Sequence, residues 1–279
     1  IQQNNQTVIH KAYGLAQIKD VNNQLLPTPT VMTKEHLFDI ASLTKVVGTT
    51  TSFMLLVDKG LLKVDDPVSK YVIGFNTPEK KDITIRHLLT HTAGILEWYP
   101  MYYRSNNKQH TFALIDSLPL AFPIGQQRKY SDLGFTVLGE IIEKISGQPM
   151  QKFMNDHIFQ PLGMSHTGYL PNKNQFIAPT SFGNPYEYRM VHDPKLGFVF
   201  NEINPNSWNN WRQYTLYGEV NDGNAWYANG GISGAAGIFS TTEDLSHLTT
   251  MLQNKGMFQQ HRFISEKTIE QFLTKDKFN

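Results

Sequence analysis

The apolar positions of this chain keep a helical rhythm through its middle and give little sign of strand. The clearest case is 132–146, where Leu133, Val137, Leu138, Ile141, Ile142 and Ile145 recur at helical spacing and Gly147 stands at the exit. Such a stripe is the buried face of an amphipathic helix. Residues 42–59 hold no proline, carry Leu43, Val46, Val47, Met54 and Leu55, and run into Gly60, so they read as a helix with a glycine stop. Shorter helices are expected over 84–91, ended by Ala93-Gly94, and over 150–158, closed by Pro161-Leu162-Gly163. Ser240 and Thr241 precede Glu243 and Asp244 in a capping-box pattern, ahead of Leu245, Leu248, Met251 and Leu252, with Gly256 as the stop. Residues 265–273 read as a last helix. Residues 7–14 alternate like a strand ended by Gly14, and 22–30 read as a polar, proline-containing connection. Over 170–229 the rhythm gives way to Asn, Pro, Gly and aromatics, which predicts long loops and short strands. So long an irregular stretch is more often functional, or a cover, than inert. Residues 230–237 are small and glycine-rich.

Composition narrows the classes. The chain has 279 residues, 40% hydrophobic and 18% charged, enough for a sizeable core in one or two units. A net charge of +1 with no long run of one sign predicts no nucleic-acid partner. The absence of cysteine excludes disulfides, thiolate metal sites and a cysteine nucleophile. No apolar run approaches the roughly 18 residues of a membrane span. The first residue is Ile1 and no signal peptide is visible, so the chain is expected to be processed or a piece of something longer.

The most suggestive chemistry is Ser42-Leu43-Thr44-Lys45, an S-x-x-K. A serine hydroxyl needs a base beside it to act as a nucleophile. At a helix start, positions i and i+3 share a face, so Lys45 can reach Ser42. The alternative is a helix-capping serine and a solvated lysine. A second match, Ser105-Asn106-Asn107-Lys108, lies in a polar stretch with no helical rhythm and is set aside. His87 and His91 stand four apart on an expected helix, but no carboxylate ligand or H-E-x-x-H accompanies them, so neither metal nor cofactor is expected.

The run 37–45, Leu37-Phe38-Asp39-Ile40-Ala41-Ser42-Leu43-Thr44-Lys45, resembles the nucleophile segment of the serine β-lactamase and penicillin-binding-protein-like family, which includes class C β-lactamases, D-alanyl-D-alanine carboxypeptidases and related esterases. The resemblance continues, in the family's order, through 61–68, 83–94, Tyr130-Ser131-Asp132, 160–164 and 236–245. It implies an α+β fold: an antiparallel sheet flanked by helices, made from both chain ends (1–60 and 238–279), with a mainly helical and loop part (61–237) between them. The whole of 1–279 would be one such hydrolase domain, incomplete at both ends.

The same resemblance implies roles. Ser42 would be the nucleophile, and Lys45 and Tyr130 would exchange protons with it and with the leaving group. Tyr130-Ser131-Asp132 stands where the family has Tyr-x-Asn. It is preferred to the literal Tyr227-Ala228-Asn229, which lacks the helix that should follow. An ionised aspartate only accepts hydrogen bonds, so Asp132 suits an amine, hydroxyl or amide N–H of substrate, or else pairs with Lys45. The family's third motif, Lys- or His-Thr-Gly, has no credible counterpart: His166-Thr167-Gly168 and His91-Thr92-Ala93-Gly94 both fall where turns are expected. The aromatic group Trp98, Tyr99, Tyr102 and Tyr103 is either interhelical packing or a cleft wall, with Trp98 and Tyr99 the candidate substrate contacts. The opposite rim would be 218–224 and 230–237, with Asn224 and Gly234 as candidates.

One branch, similar to muramyl-peptide amidases, carries V-H-D-x-N-A and G-H-A-G-L-F-S-T segments. Here Asn221 and Ala235 replace the two histidines. The resemblance therefore implies a serine acyl hydrolase, working through an acyl-enzyme on an amide or ester bond of a peptidoglycan-derived peptide, outside the cytoplasm. The alternatives are a broad carboxylesterase or β-lactamase, or a silent binding module. The expected partners are a small peptide or muramyl-peptide, without nucleic acid or metal, and a fused or remaining C-terminal segment of the same polypeptide.

Overall fold

A computed structural model describes residues 1–3 and 5–275; residues 276–279 of the span expected for the α/β part lie outside them. Two short strands, β1 (Gln2–Gln3) and β2 (Gln6–Thr7), pair antiparallel, as do β3 (Leu15–Lys19) and β4 (Leu25–Val31). A second sheet has the order β5-β7-β6, from β5 (Phe38–Asp39), β6 (Gly168–Tyr169) and β7 (Ile238–Ser240), all antiparallel. β8 (Met257–Phe258) and β9 (His261–Arg262) form a last pair. The eight α-helices among the described residues are α1 (Thr51–Asp58), α2 (Ile85–Leu89), α3 (Lys108–Ser117), α4 (Asp132–Ser146), α5 (Met150–Met154), α6 (Pro185–His192), α7 (Thr242–Gln253) and α8 (Glu266–Leu273). Small antiparallel sheets with a helical majority are the α+β class the sequence predicts. No helix among the described residues is long and apolar enough to cross a membrane.

Helix α4 starts and stops where its pattern says. The Ser131 hydroxyl accepts the Gly134 N–H at 3.1 Å, and Gly147 takes φ +70° at the exit. Leu133, Leu138, Ile141 and Ile142 are fully or almost fully buried in a core that also takes Phe53 and Leu56 of α1, Leu88 of α2, Met154 of α5 and Met251 of α7.

Four expectations are corrected. The strand at 7–14 is displaced: the hairpin is β3–β4, and the proline-bearing stretch is β4 itself. Pro27 and Pro29 fit because β4 pairs on one side only, with a register shift, and an edge strand tolerates missing N–H donors. The polar stretch after Arg104 becomes α3, whose Asn107 cap accepts the His110 N–H at 2.9 Å. The irregular region includes helix α6, entered through Pro185 and capped by Asn184. The helix expected from residue 42 enters by a 3-10 turn (Ala41–Leu43) and a wide π turn (Lys45–Thr50) before α1. Hydroxyls reaching back five residues, Thr50 to Lys45 O and Thr51 to Val46 O, accompany that widening.

Candidate active site

Ser42 lies in the exposed turn between β5 and the π turn, and its side chain caps no helix N–H. The turn hangs from β7: the Ile40 N–H donates to Ile238 O at 3.0 Å, and the Thr44 hydroxyl accepts the Ile238 N–H at 3.2 Å. Ala41, just before the serine, has φ +46°, in the left-handed region that costs an L-residue about 1–2 kcal/mol. Non-glycine residues held there cluster at active sites.

Lys45 is buried, and its three donors are all engaged. Nζ donates to Ser42 Oγ at 3.1 Å, to Asp132 Oδ1 at 2.6 Å and to the Ala235 carbonyl at 2.9 Å. Asp132 is the first residue of α4, where the helix N-terminus favours a carboxylate. Of the two roles the sequence left open for Asp132, its side chain takes the ion pair with Lys45. Both charges are largely withdrawn from water, so removing either partner strands the other.

Tyr130 is half exposed, and its ring centroid lies 4.8 Å from Lys45 Nζ. The Tyr130 ring also meets the His91 ring at 4.6 Å, and the His91 ring contacts Phe135 at 5.1 Å. His91, with φ +60°, accepts the Ser131 N–H on Nδ1 at 3.0 Å. Burial, with Lys45 and then Arg128 adding repulsion, pushes the His91 imidazole down to about 4, so the ring is neutral at neutral pH. The expected helix-exit turn at His91 thus holds the segment that presents Tyr130.

The glycine loop supplies the Ala235 carbonyl by approaching α4 closely. A Cβ on Gly234 would lie 2.2 Å from Phe135 O, and the Gly234 carbonyl accepts the Thr49 hydroxyl at 2.7 Å. Gly234 is therefore a packing glycine whose neighbour touches the site.

The remaining candidates are used elsewhere. Trp98 is buried and packs edge-on against Phe198; Tyr99 is fully buried against Phe200. Both rings go into packing under the 198–211 cover, which replaces their reading as a cleft wall. Asn224 is buried with both amide ends on the backbone: Oδ1 accepts the Met101 N–H and Nδ2 donates to Tyr99 O, each at 2.9 Å. Its reading as a substrate contact gives way to that of a brace for the 99–101 turn. Tyr227 accepts the Arg212 N–H among Tyr102, Trp208 and Trp211, and Thr167 of His166-Thr167-Gly168 donates to buried Asp244. Among the described residues no cluster of three or more His, Asp or Glu could hold a metal.

Sequence reasoning missed Ala235 O, His91 and the partly buried Asp39. A carbonyl oxygen has no side-chain signature, and the partners of Asp39 are backbone N–H groups far apart in the chain.

Comparison with known proteins bears on the family and the fold. The Beta-lactamase family profile matches residues 1–277. A protein of Escherichia coli (strain K12) described as "Putative D-alanyl-D-alanine carboxypeptidase" is 32% identical over 98% of this chain and 63% of its own length. A namesake from Salmonella typhimurium is 32% identical over 96% and 62%. The chain thus spans a little over three fifths of the curated relatives it matches. Among solved structures, an octameric penicillin-binding protein homologue from Pyrococcus abyssi superposes with TM-score 0.67 at 22% identity, over 96% of this chain and 53% of that one. A penicillin-binding protein from Bacillus halodurans gives 0.61 at 23%, over 88% and 66%. At these identities the two structures speak for the fold alone. With a profile match over nearly its whole length and relatives at 32% identity, the chain belongs to the Beta-lactamase family.

Proposed function

We propose that this chain carries the acylation machinery of a serine acyl hydrolase acting on a peptidoglycan-derived peptide. The observation that carries the reading is Lys45 Nζ held 3.1 Å from Ser42 Oγ by Asp132 and Ala235 O, beside the Tyr130 ring. An ammonium with all three donors engaged cannot take the Ser42 proton. Passing one proton along the 2.6 Å contact to Asp132 leaves a neutral amine, which takes the proton from Ser42 as its oxygen bonds to the substrate carbonyl carbon. The acyl–nitrogen bond then breaks, and the leaving amine is protonated from Lys45 or the Tyr130 hydroxyl. Water releases the acyl group by the reverse relay.

The description of the relatives as "Putative D-alanyl-D-alanine carboxypeptidase" supports a peptide ending in D-alanyl-D-alanine, and the resemblance to muramyl-peptide amidases supports a wall fragment. Wall material as substrate would put the work outside the cytoplasm.

A fluorophosphonate probe and intact-protein mass spectrometry test the reading. The expected result is one adduct, lost in Ser42→Ala. Asp132→Asn, which removes the proton acceptor but keeps the shape, should slow labelling by about tenfold or more. No adduct on the native chain would favour the silent binding module. An adduct with turnover of a short nitrophenyl ester, and none of a muramyl-peptide ending in D-alanyl-D-alanine, would favour the esterase.

A further inference from the structure

The turn that presents Ser42 is held in a conformation its sequence does not favour, and one side chain explains how. Ala41 has φ +46°. The Ala41 N–H donates to Asp39 Oδ1 at 2.8 Å, across an Asx-type turn two residues long. The other oxygen of the same carboxylate, Oδ2, accepts the Asn221 N–H at 2.7 Å, 182 residues away. Asn221 is itself braced from behind. Buried Arg212 donates to the carbonyls of Val220 at 2.8 Å and of Asn221 at 2.9 Å, and Asn184 Nδ2 donates to the Asn221 carbonyl at 2.9 Å. The neighbouring Gly223 N–H is fixed by the buried Glu187 carboxylate at 2.8 Å. One carboxylate therefore ties the strained residue before the nucleophile to a rigid, cross-braced loop.

We infer that Asp39 is a positioning residue that holds Ser42 in reach of Lys45 by clamping the Ala41 turn to the 220–223 loop. Its catalytic consequence rests on the acyl-hydrolase reading, but the clamp itself does not. Without the carboxylate, Ala41 relaxes toward negative φ, the peptide joining it to Ser42 rotates, and Oγ leaves the 3.1 Å contact. A glycine at 41 reaches positive φ without steric cost, so it lessens the turn's need for the clamp while leaving the loop untied. Burial pushes the Asp39 carboxyl up, and its two N–H donors and Arg212 oppose that shift.

The experiment compares native chain, Asp39→Ala, Ala41→Gly and the double variant by fluorophosphonate labelling rate, thermal midpoint and amide hydrogen exchange across 39–44 and 219–223. Losing a charge-assisted hydrogen bond at the nucleophile turn predicts labelling slowed by about 10- to 100-fold in Asp39→Ala. Exchange should be faster in both segments. The double variant should recover most of the labelling rate while 219–223 stays unprotected. A carboxylate serving only general stability would not be rescued by glycine at 41.

Native labelling in Asp39→Ala, or no rescue in a folded double variant, overturns the proposal. Should the native chain itself fail to label, the hydrolase reading falls and exchange decides alone. Protection of the 39–44 segment unchanged in Asp39→Ala then overturns the clamp, and protection lost in both 39–44 and 219–223 supports it.

Discussion

At the scale of single residues, the site depends on neutral and charged groups being kept in their states by neighbours. His91 shows this best. Nδ1 accepts the Ser131 N–H, so any proton of the neutral ring sits on Nε2, and protonating Nδ1 would break that bond. The folded imidazole titrates near 4 against an ordinary 6.5. The unfolded chain therefore takes up this proton first, and the stability tied to the neutral ring is present above about 6.5 and drains as pH falls toward 4. His91→Phe keeps a ring against Tyr130 but leaves the Ser131 N–H without its acceptor, at a cost of about 1–3 kcal/mol. Urea unfolding at pH 7.5 and pH 5 should show that loss, with the gap narrower at pH 5 because the variant no longer pays the proton linkage. Ser42, Lys45, Tyr130 and Asp132 were legible because two short runs of sequence carry all four. Trp98 and Tyr99 were chosen as members of an aromatic cluster and Asn224 as part of an expected rim, and neither ground reveals whether a ring or amide faces a cleft or the interior.

At the scale of elements, the Lys45 site is where glycines let neighbouring segments pack too closely for an added side chain. Gly48 packs so that a Cβ would lie 2.7 Å from Ile238 Cδ1 and from Met154 Sδ, and Gly234 sits on Phe135 O. Gly234→Ala cannot be absorbed by a side-chain shift, because its obstacle is backbone. It should cost about 1–3 kcal/mol and carry Ala235 O away from Lys45, lowering the labelling rate with the thermal midpoint. Gly60→Ala is the control: φ is +67° but the space is open, so only the conformational cost remains and labelling should hold. Helix α4 could be read whole because its stripe, cap and stop are local. The sheet could not: β5 and β7 are two and three residues long, too short to show a period, and they pair across about 200 residues of chain. Helix α3 escaped notice because few of its residues are buried, Thr111 and Ile115 among them.

At the scale of the molecule, a second set of buried ionisable groups lies between α3, α4 and the 73–80 segment. Lys80 is buried, and its Nζ donates to Asp116 O at 2.5 Å. Glu140 Oε2 is buried with no hydrogen-bond partner among the described residues. Burial, then Asp116, pushes the Glu140 carboxyl up to about 7, while Lys144 and Lys108 pull the other way and Glu143 adds repulsion. The folded value lies above the ordinary 4.5, so the folded chain keeps this proton longer than the unfolded chain, and stability falls as pH rises from about 4.5 to about 7. Glu140→Gln should match the native chain at pH 4 and exceed it at pH 8. Allowing for solvent screening, the gain is about 1 kcal/mol, or roughly 2–4 °C in thermal midpoint by calorimetry.

The wide turn at Lys45–Thr50 sets the phase between the nucleophile and everything downstream. A π turn holds one residue more than an α turn spanning the same rise, so Ser42 and Lys45 are rotated about the axis relative to the buried face of α1. Winding the same residues at ordinary α pitch, with none removed, would turn the serine and lysine by about 100° against that face. The Ser-x-x-Lys spelling would survive, and Lys45 would point away from Asp132. The reactive pair is thus oriented by the way the chain winds after it, in a stretch where no single side chain would be recognised as part of the site.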